Sequence, residues 1–183
     1  MNKYVVLLRG VNVGGNNRVP KEDFQKVLEG LDFSNIRIYL NSGNAVFASS
    51  KTPSVEIIQN ALEKRFKFNI PTLLIDGKTI IKIASQIPKD WTNDPLKPDK
   101  SGRKSDVIYL FPTIDTPEIL NRLKYNHKIE SMIYTKGSVI TSILRKNQSE
   151  GSLKKLVNNK DIYNNVTIRN VNTALKLAEL VAD

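Results

Sequence analysis

The sequence predicts an α+β protein built from two tandem ferredoxin-like modules, each with the order βαββαβ, and a C-terminal helix. Short apolar runs with strand periodicity alternate with amphipathic helical stretches, and the same order of elements occurs twice in 183 residues. A polar stretch rich in Pro, Asp and Lys separates the two occurrences. The predicted organisation is a first module with an added helix over residues 1–87, a linker or long loop over 88–104, and a second module with the C-terminal helix over 105–183.

The first module is predicted from its periodicity and its helix starts. Residues 5–8 form an apolar run typical of a buried strand, and Pro20 stands where a helix begins. Residues 36–40 alternate as a half-buried strand does, and Asn41-Ser42-Gly43-Asn44 has the composition of a hairpin turn. The remaining elements are a strand over 45–48, a helix opened by Thr52-Pro53, a strand over 72–75 and an added helix over 80–87.

The second module repeats this plan without repeating the residues. A strand over 107–111 precedes a helix opened by Thr116-Pro117. A hairpin follows, with strands over 129–134 and 139–144 on either side of Lys136-Gly137. The predicted module ends with a short helix over 153–157, a strand over 166–168 and an apolar-faced helix that begins near Val171.

Charge and composition limit the classes of function. The net charge is +10, with 15 basic and 10 acidic residues in 1–100 and 13 and 8 in 101–183, so the excess is spread along the chain. A spread basic surface favours nucleic acid or another polyanion as partner, and its alternative reading is solubility alone. The absence of Cys excludes disulfides, thiolate nucleophiles and Cys-based metal sites. With no run long enough to span a membrane, we expect a soluble, cytoplasmic protein without a membrane partner.

The stretch from residue 9 to 20, R-G-V-N-V-G-G-N-N-R-V-P, is the most informative in the chain. It combines glycines, carboxamides and two arginines between a predicted strand and a predicted helix. Such a loop has a permissive backbone, many hydrogen-bonding groups and fixed positive charge, which suits an oxyanion. It contains no carboxylate, His, Cys or Lys and therefore no general base. The alternative reading is that its glycines only permit tight turns.

Topology predicts which residues join this loop. In a sheet with the spatial order 4-1-3-2, the end of the first strand and the turn between the second and third strands lie at the same edge. The first predicted helix points its free N–H groups to that edge as well. The predicted anion-binding corner contains Arg9, Gly10, Asn12, Gly14, Gly15, Asn16, Arg18, Asn41, Ser42, Gly43 and Asn44.

A third motif, T-I-R-N-V-N-T over 167–173, precedes the last helix. Asn170 is a good N-cap residue, with Arg169 just outside the helix and Asn172 and Thr173 in its first turn. This end could also hold an oxyanion. In the alternative reading, Asn170 only caps the helix and Arg169 is only solvated.

The sequence does not identify a cofactor or a catalytic set. No G-K-[ST] or G-x-G-x-x-G pattern supports an ATP or NAD assignment. His127 is the only histidine, and an isolated histidine without an assigned acid partner is usually exposed, so we predict a surface residue. One His and no Cys predict no metal cluster, although an all-carboxylate Mg²⁺ site stays open. Catalytic residues and cofactor remain unassigned.

Together the three motifs resemble an uncharacterised bacterial family, a conserved domain of unknown function. The resemblance covers nearly the full length and implies a compact two-part α/β protein with ferredoxin-like pieces, without an established activity, substrate or cofactor. The chain departs from the family pattern at Val171, where a Trp is expected, and over 149–156, where a Gly-rich segment is expected. The motif residues that match are Arg9, Gly10, Asn12, Gly14, Gly15, Asn41, Ser42, Gly43, Asn44, Arg169, Asn170, Asn172 and Thr173.

Three hypotheses of function follow. The leading one is binding of a phosphorylated small molecule, a nucleotide or a nucleic-acid backbone, with Arg9, Arg18 and Arg169 supplying charge. The second is an enzyme that acts on a phosphoryl or acyl group by electrostatic positioning. The third is that the motifs are structural contacts. Whether Arg169 joins the Arg9 corner and what the oligomeric state is stay open at this point.

Overall fold

The first half of the chain forms strands and helices in the predicted order. The structure is a computed structural model that describes residues 1–183. Helix α1 begins after Pro20, and α2 begins after Ser54, whose hydroxyl accepts a hydrogen bond from the Ile57 N–H. The elements are β1 (Asn2–Leu8), α1 (Lys21–Glu29), β2 (Ser34–Tyr39), β3 (Asn44–Ser49), α2 (Val55–Phe66), β4 (Thr72–Asp76) and α3 (Gly77–Ser85).

The four strands form one antiparallel sheet with the order β2-β3-β1-β4. Seen from the other edge, this is the predicted order 4-1-3-2. Alternate residues of β1 point to the face that α1 and α2 cover, because successive side chains of a strand point to opposite faces. The buried core on this face includes Tyr4, Val6, Leu8, Phe24, Leu28, Ile58 and Leu62.

The turn between β2 and β3 lies one residue earlier than predicted, over residues 40–43. Strand β2 ends at Tyr39, whereas the predicted strand continued through residue 40. Leu40 has a φ of +57° and is 44% exposed, so it belongs to the turn and not to the sheet. Gly43 is buried at the other end of the turn, and its carbonyl accepts a hydrogen bond from the Leu8 N–H at 2.8 Å. The turn is therefore fastened to the end of β1.

The second half forms another four-stranded antiparallel sheet, whose strands lie in the order β6 (Glu130–Thr135), β7 (Ser138–Leu144), β5 (Arg103–Leu110) and β8 (Val166–Asn170). Its buried core lies on one face and includes Ile108 and Leu110 of the central strand β5. Except for the last one, the helices here are shorter than in the first half, and three 3-10 turns lie between them over 112–114, 145–150 and 156–158. The elements are β5 (Arg103–Leu110), α4 (Ile119–Leu123), β6 (Glu130–Thr135), β7 (Ser138–Leu144), α5 (Ser152–Lys155), α6 (Lys160–Tyr163), β8 (Val166–Asn170) and α7 (Val171–Ala182).

The chain divides into two compact units at places other than the predicted boundaries. The first unit is Met1–Ile81 with Leu177–Asp183, and the second is Lys82–Lys176. The end of α7 therefore belongs to the first unit, whereas the whole helix was predicted with the second module. Val181 lies so close to Gly77 that a Cβ there would come within 2.7 Å of its Cγ1. Asp183 also pairs with Arg37 at 3.0 Å.

The predicted loop over 88–104 ends two residues early. Asp94 pairs with Arg103 through two hydrogen bonds, because its N–H donates to the Arg103 carbonyl at 2.9 Å and its carboxylate accepts from the Arg103 N–H at 2.6 Å. These bonds begin the strand at Arg103, opposite Leu144 of β7. No helix of this fold has the length and apolarity needed to cross a membrane.

Candidate functional site

Asn12 organises the loop that follows β1. Its Nδ2 donates to the Val19 carbonyl at 3.1 Å and to the Asn41 carbonyl at 2.6 Å, and its Oδ1 accepts from the Val19 N–H at 2.8 Å. Asn12 has a φ of +55°, a left-handed conformation that Asn tolerates better than most residues. The side chain joins both ends of the loop to the β2–β3 turn. The predicted meeting of residues 10–18 with residues 41–44 is thus confirmed.

The tip of this loop is an exposed tight turn. Gly14 and Gly15 have φ values of +58° and +80°, and nothing lies within 4 Å of the position of a Cβ at either residue. The Asn16 N–H donates to the Val13 carbonyl at 3.0 Å, and Asn17 Nδ2 donates to the Gly10 carbonyl at 3.1 Å. The glycines therefore permit the turn, and they also leave the backbone of the tip accessible.

A surface cleft of about 330 Å³ lies beside the loop at the start of α1. Its walls carry two exposed cations, Arg18 and Lys21, and two carboxamide residues, Asn12 and Asn41. The N-cap residue of α1 is Pro20, and no side chain caps this helix. The complete lining is Asn12, Gly15, Arg18, Val19, Pro20, Lys21 and Asn41.

The electrostatics of this cleft favour an anion. The N-terminus of a helix carries partial positive charge, which adds to the charges of Arg18 and Lys21. Of the two acids in the first turn, Asp23 pairs with Arg65 at 2.7 Å, so a neighbouring cation balances its charge, and Glu22 does not line the cleft. The lining contains no carboxylate, His or Cys. The cleft can hold an oxyanion but has no general base of its own.

Four further residues of the predicted corner do not line the cleft, namely Arg9, Ser42, Gly43 and Asn44. Asn44 is fully buried, and its Nδ2 donates to the Tyr39 carbonyl and to Ser42 Oγ, both at 2.8 Å. Arg9 is half-buried, and its N–H donates to the Pro71 carbonyl at 3.0 Å. Gly43 is buried in the turn. These contacts stabilise the corner from which Arg18 and Asn41 extend.

The third motif belongs to the second unit, where it joins β8 to α7. Asn170 Oδ1 accepts a hydrogen bond from the Thr173 N–H at 2.9 Å, which confirms the predicted N-cap. Thr173 is buried and Asn172 is exposed. Arg169 is only 8% exposed, and its Nη1 donates to Thr167 Oγ1 and the Ile168 carbonyl. Burial lowers the pKa of Arg169 to about 10, against the opposing effect of Tyr109.

The second unit contains a cavity of about 260 Å³ that the sequence did not predict. It lies on the same face of the sheet as the apolar core, next to that core. Asp106 of β5 lies opposite Thr141 of β7, and Thr141 lies opposite Met132 of β6, two residues after Glu130. These register positions share one face. The lining is Lys104, Asp106, Glu130, Thr141, Ile143, Gln148, Gly151, Leu153 and Lys154.

Glu130 anchors the wall of this cavity. The residue is 4% exposed, and its carboxylate accepts hydrogen bonds from Thr141 Oγ1, the Ser152 N–H and Ser152 Oγ, each at 3.0 Å. Ser152 begins α5, so the bonds tie that segment to the sheet. Both carboxylate oxygens are satisfied within the protein.

The carboxylate of Asp106 makes fewer contacts within the chain than that of Glu130. Its side chain is 8% exposed, and its Oδ2 pairs with Lys104 Nζ at 3.2 Å. Burial raises the pKa of Asp106, and the nearby charges of Lys104 and Arg145 only partly oppose that effect. Buried acids with a perturbed pKa in a cavity are found frequently at functional sites. No three His, Cys, Asp or Glu residues are grouped closely enough to hold a metal ion.

Comparison with known proteins identifies a family. The family described as "Protein of unknown function (DUF1697)" matches residues 1–140, which is more than half of the chain. The chain belongs to the DUF1697 family. The match includes the Arg9 loop, the Asn41 turn, Asp106 and Glu130, and it ends before the third motif.

A solved structure supports the fold of this DUF1697 chain. The chain is similar to the conserved bacterial protein SP0830 from Streptococcus pneumoniae, with a TM-score of 0.81 and 22% identity over 98% of each chain. At this identity the likeness shows the α+β fold of two four-stranded sheets and does not transfer a function. No curated protein matches the sequence.

Sequence reasoning missed several residues that line the two sites of this DUF1697 protein. Lys21 could have been found, because it directly follows the predicted helix start at Pro20. Asp106 also carries a signal, since it is a charged residue in the run S-D-V-I-Y-L that otherwise reads as a buried strand. Glu130 and Thr141 meet Asp106 only through the strand register, which the sequence did not specify. His127 is exposed, as predicted.

We expect Asp106→Asn to raise stability at neutral pH. The raised pKa means that the native state binds a proton more tightly than the unfolded chain, so the wild type loses stability as the pH rises from the ordinary value of 3.8 through the folded pKa. Asn has nearly the same shape as Asp but carries no charge, so the variant does not lose stability as the pH rises. Urea unfolding at pH 7 and pH 3 is the measurement. The advantage of the variant should disappear at the lower pH, and lower stability of the variant at pH 7 would contradict the expectation.

Proposed function

We propose that this protein binds the phosphate group of a small phosphorylated molecule, a nucleotide or a nucleic-acid backbone in the cleft beside α1. One observation carries the proposal. The fold places Arg18 and Lys21 around the start of a helix that has no capping side chain, in a cleft that contains no acid. A phosphate monoester carries about −1.5 to −2 charges at neutral pH, which this arrangement complements.

Each group has a separate role in the proposed complex. The guanidinium of Arg18 can donate two parallel hydrogen bonds to a phosphate, whereas the ammonium of Lys21 acts as a point charge. The first N–H groups of α1 lack intrahelical acceptors and can donate to the same oxyanion. Asn12 holds the loop in place, so little conformational entropy is lost on binding.

The test is binding of inorganic phosphate, ATP and short oligonucleotides to the wild type and to single variants by calorimetry. We expect Arg18→Ala and Lys21→Ala each to weaken binding about tenfold, since a hydrogen bond to a charged group contributes roughly 1.5 kcal/mol or more. Lys26→Ala is the matched control, because Lys26 is an exposed cation of α1 in its last turn. It should bind as the wild type does.

The pattern of ligands separates the possible sources of the phosphate. Binding of phosphate and ATP would support a small-molecule site. Binding of oligonucleotides alone, weakened steeply by salt, would support a nucleic-acid backbone. If no anion binds, or if Arg18→Ala lowers the melting temperature and changes no affinity, the structural reading of the motifs would replace the proposal. Without a general base in the cleft, no observation favours turnover there over binding.

We further infer that each module is a ferredoxin-like βαββαβ unit and that the protein acts in the cytoplasm. The order 4-1-3-2, present in both antiparallel sheets, supports the first inference. The absence of Cys is consistent with a reducing compartment and supports the second.

A further inference from the structure

We propose that the cavity between Asp106 and Lys154 is a second ligand site, which takes a small zwitterion that carries an ammonium group, such as an amino acid. The site lies within the second unit and is independent of the anion cleft. It rests on three observations: a carboxylate oxygen that opens on the cavity, an uneven distribution of charge between the floor and the rim, and the size of the cavity.

The first observation is the incomplete hydrogen bonding of Asp106. The side chain is more than nine-tenths buried, and its contact with the chain is the pair between Oδ2 and Lys104. Oδ1 accepts no hydrogen bond from the chain, although the residue lines the cavity. Oδ1 is also not sealed from solvent, so a donor group that enters the cavity can reach it. A donor from a ligand would supply the missing hydrogen bond.

The second observation is the placement of charge. The floor has two buried carboxylates, Asp106 and Glu130, and the partly exposed ammonium group of Lys104. The rim has an exposed cation, Lys154. The lining of the floor therefore has one negative charge in excess, which Arg145 near Asp106 partly offsets from outside the lining, while the rim is positive. A ligand complements both when its ammonium group enters first and its acidic group stays near Lys154.

The third observation is the volume. A cavity of about 260 Å³ corresponds to roughly nine water molecules at their liquid volume. It lies just below the range of about 300–1,000 Å³ that is typical of pockets for drug-sized ligands. The cavity thus accommodates a molecule of amino-acid size. Glu130 and Ser152 hold the wall, so the site exists before a ligand arrives.

The first experiment is a ligand titration of the full-length protein observed in ¹H–¹⁵N NMR spectra. The probes are the proteinogenic amino acids and short ω-amino acids, with the corresponding hydroxy acids as controls that lack the ammonium group. We expect at least one amino compound to shift the amide signals of Asp106, Thr141 and Gly151. Its hydroxy analogue should bind at least about tenfold more weakly, since a charge-assisted hydrogen bond is lost.

Variants test the two ends of the site with the compound that binds. Asp106→Asn should weaken binding about 10- to 100-fold, because the carboxylate charge is removed without a change of shape. Lys154→Gln should weaken it about 2- to 5-fold, as expected for an exposed charge. Lys155→Gln is the matched control, because this exposed neighbour in α5 does not line the cavity.

Several outcomes would overturn the proposal. These are no binding of any amino compound, equal binding of the hydroxy acids, undiminished binding to Asp106→Asn, or an equal effect of Lys154→Gln and Lys155→Gln. If Asp106→Asn does not fold, the NMR titration of the wild type and the comparison of Lys154→Gln with Lys155→Gln still test the proposal. Signal changes confined to the Gly14 loop would place the ligand in the anion cleft and reject the second site.

Discussion

Replacement of Gly43 by alanine is expected to lower the free energy of unfolding by about 2 to 4 kcal/mol. A Cβ at this position would lie 2.7 Å from Leu8 Cβ and 2.8 Å from Val11 Cγ2, both in buried residues. The residue also has a φ of +71°, which is strained for any residue with a Cβ. Overpacking of a core costs about 1 to 3 kcal/mol, and the backbone strain adds to it.

Gly14→Ala is the matched control for this change. Gly14 has a similar φ, +58°, but nothing lies within 4 Å of its Cβ position. This variant should therefore lose only about 1 kcal/mol, from backbone strain alone. Thermal unfolding of both variants separates overlap from strain. An equal loss in the two would show that the turn moves away from β1 without cost and that the contact with Leu8 is not tightly packed.

Replacement of Glu130 by alanine should be similarly damaging, with a loss of about 3 to 5 kcal/mol. The substitution leaves the Thr141 hydroxyl and the Ser152 N–H and hydroxyl without their acceptor. All three donors belong to buried residues, and each unmade bond of this kind costs about 1 to 3 kcal/mol before relaxation and entry of water. Because Ser152 begins α5, hydrogen exchange should increase first around that segment.

Glu150→Ala provides the comparison on the same segment. Glu150 is exposed, so its removal should change stability by no more than about 0.5 kcal/mol. Urea unfolding and hydrogen exchange of both variants measure the difference. If Glu130→Ala were as stable as Glu150→Ala, the carboxylate would not anchor the segment, and the cavity wall would need another explanation.

The candidate sites were predictable to different degrees. Arg18 and Asn41 were placed in one corner because the order of strands determines which loops meet at an edge, and that order followed from hydrophobic periodicity. The same reasoning could not show that Asn44 points inward while Asn41 stays exposed. Asn41 lies in the turn, whereas Asn44 is the first residue of β3, and the boundary between them is set where Gly43 packs against Leu8. Composition alone treats them as equivalent.

By itself, the sequence determined the order of elements, their repetition in the second half and the Gly-rich loop at the end of β1. These depend on local periodicity and on turn chemistry, which short segments contain in full. Only the tertiary structure decided that Asp106, Glu130 and Thr141 share a cavity and that the end of α7 belongs with the first unit. The physical reason is that strand register and helix docking depend on contacts between residues far apart in the chain, such as the pair of Arg37 with Asp183.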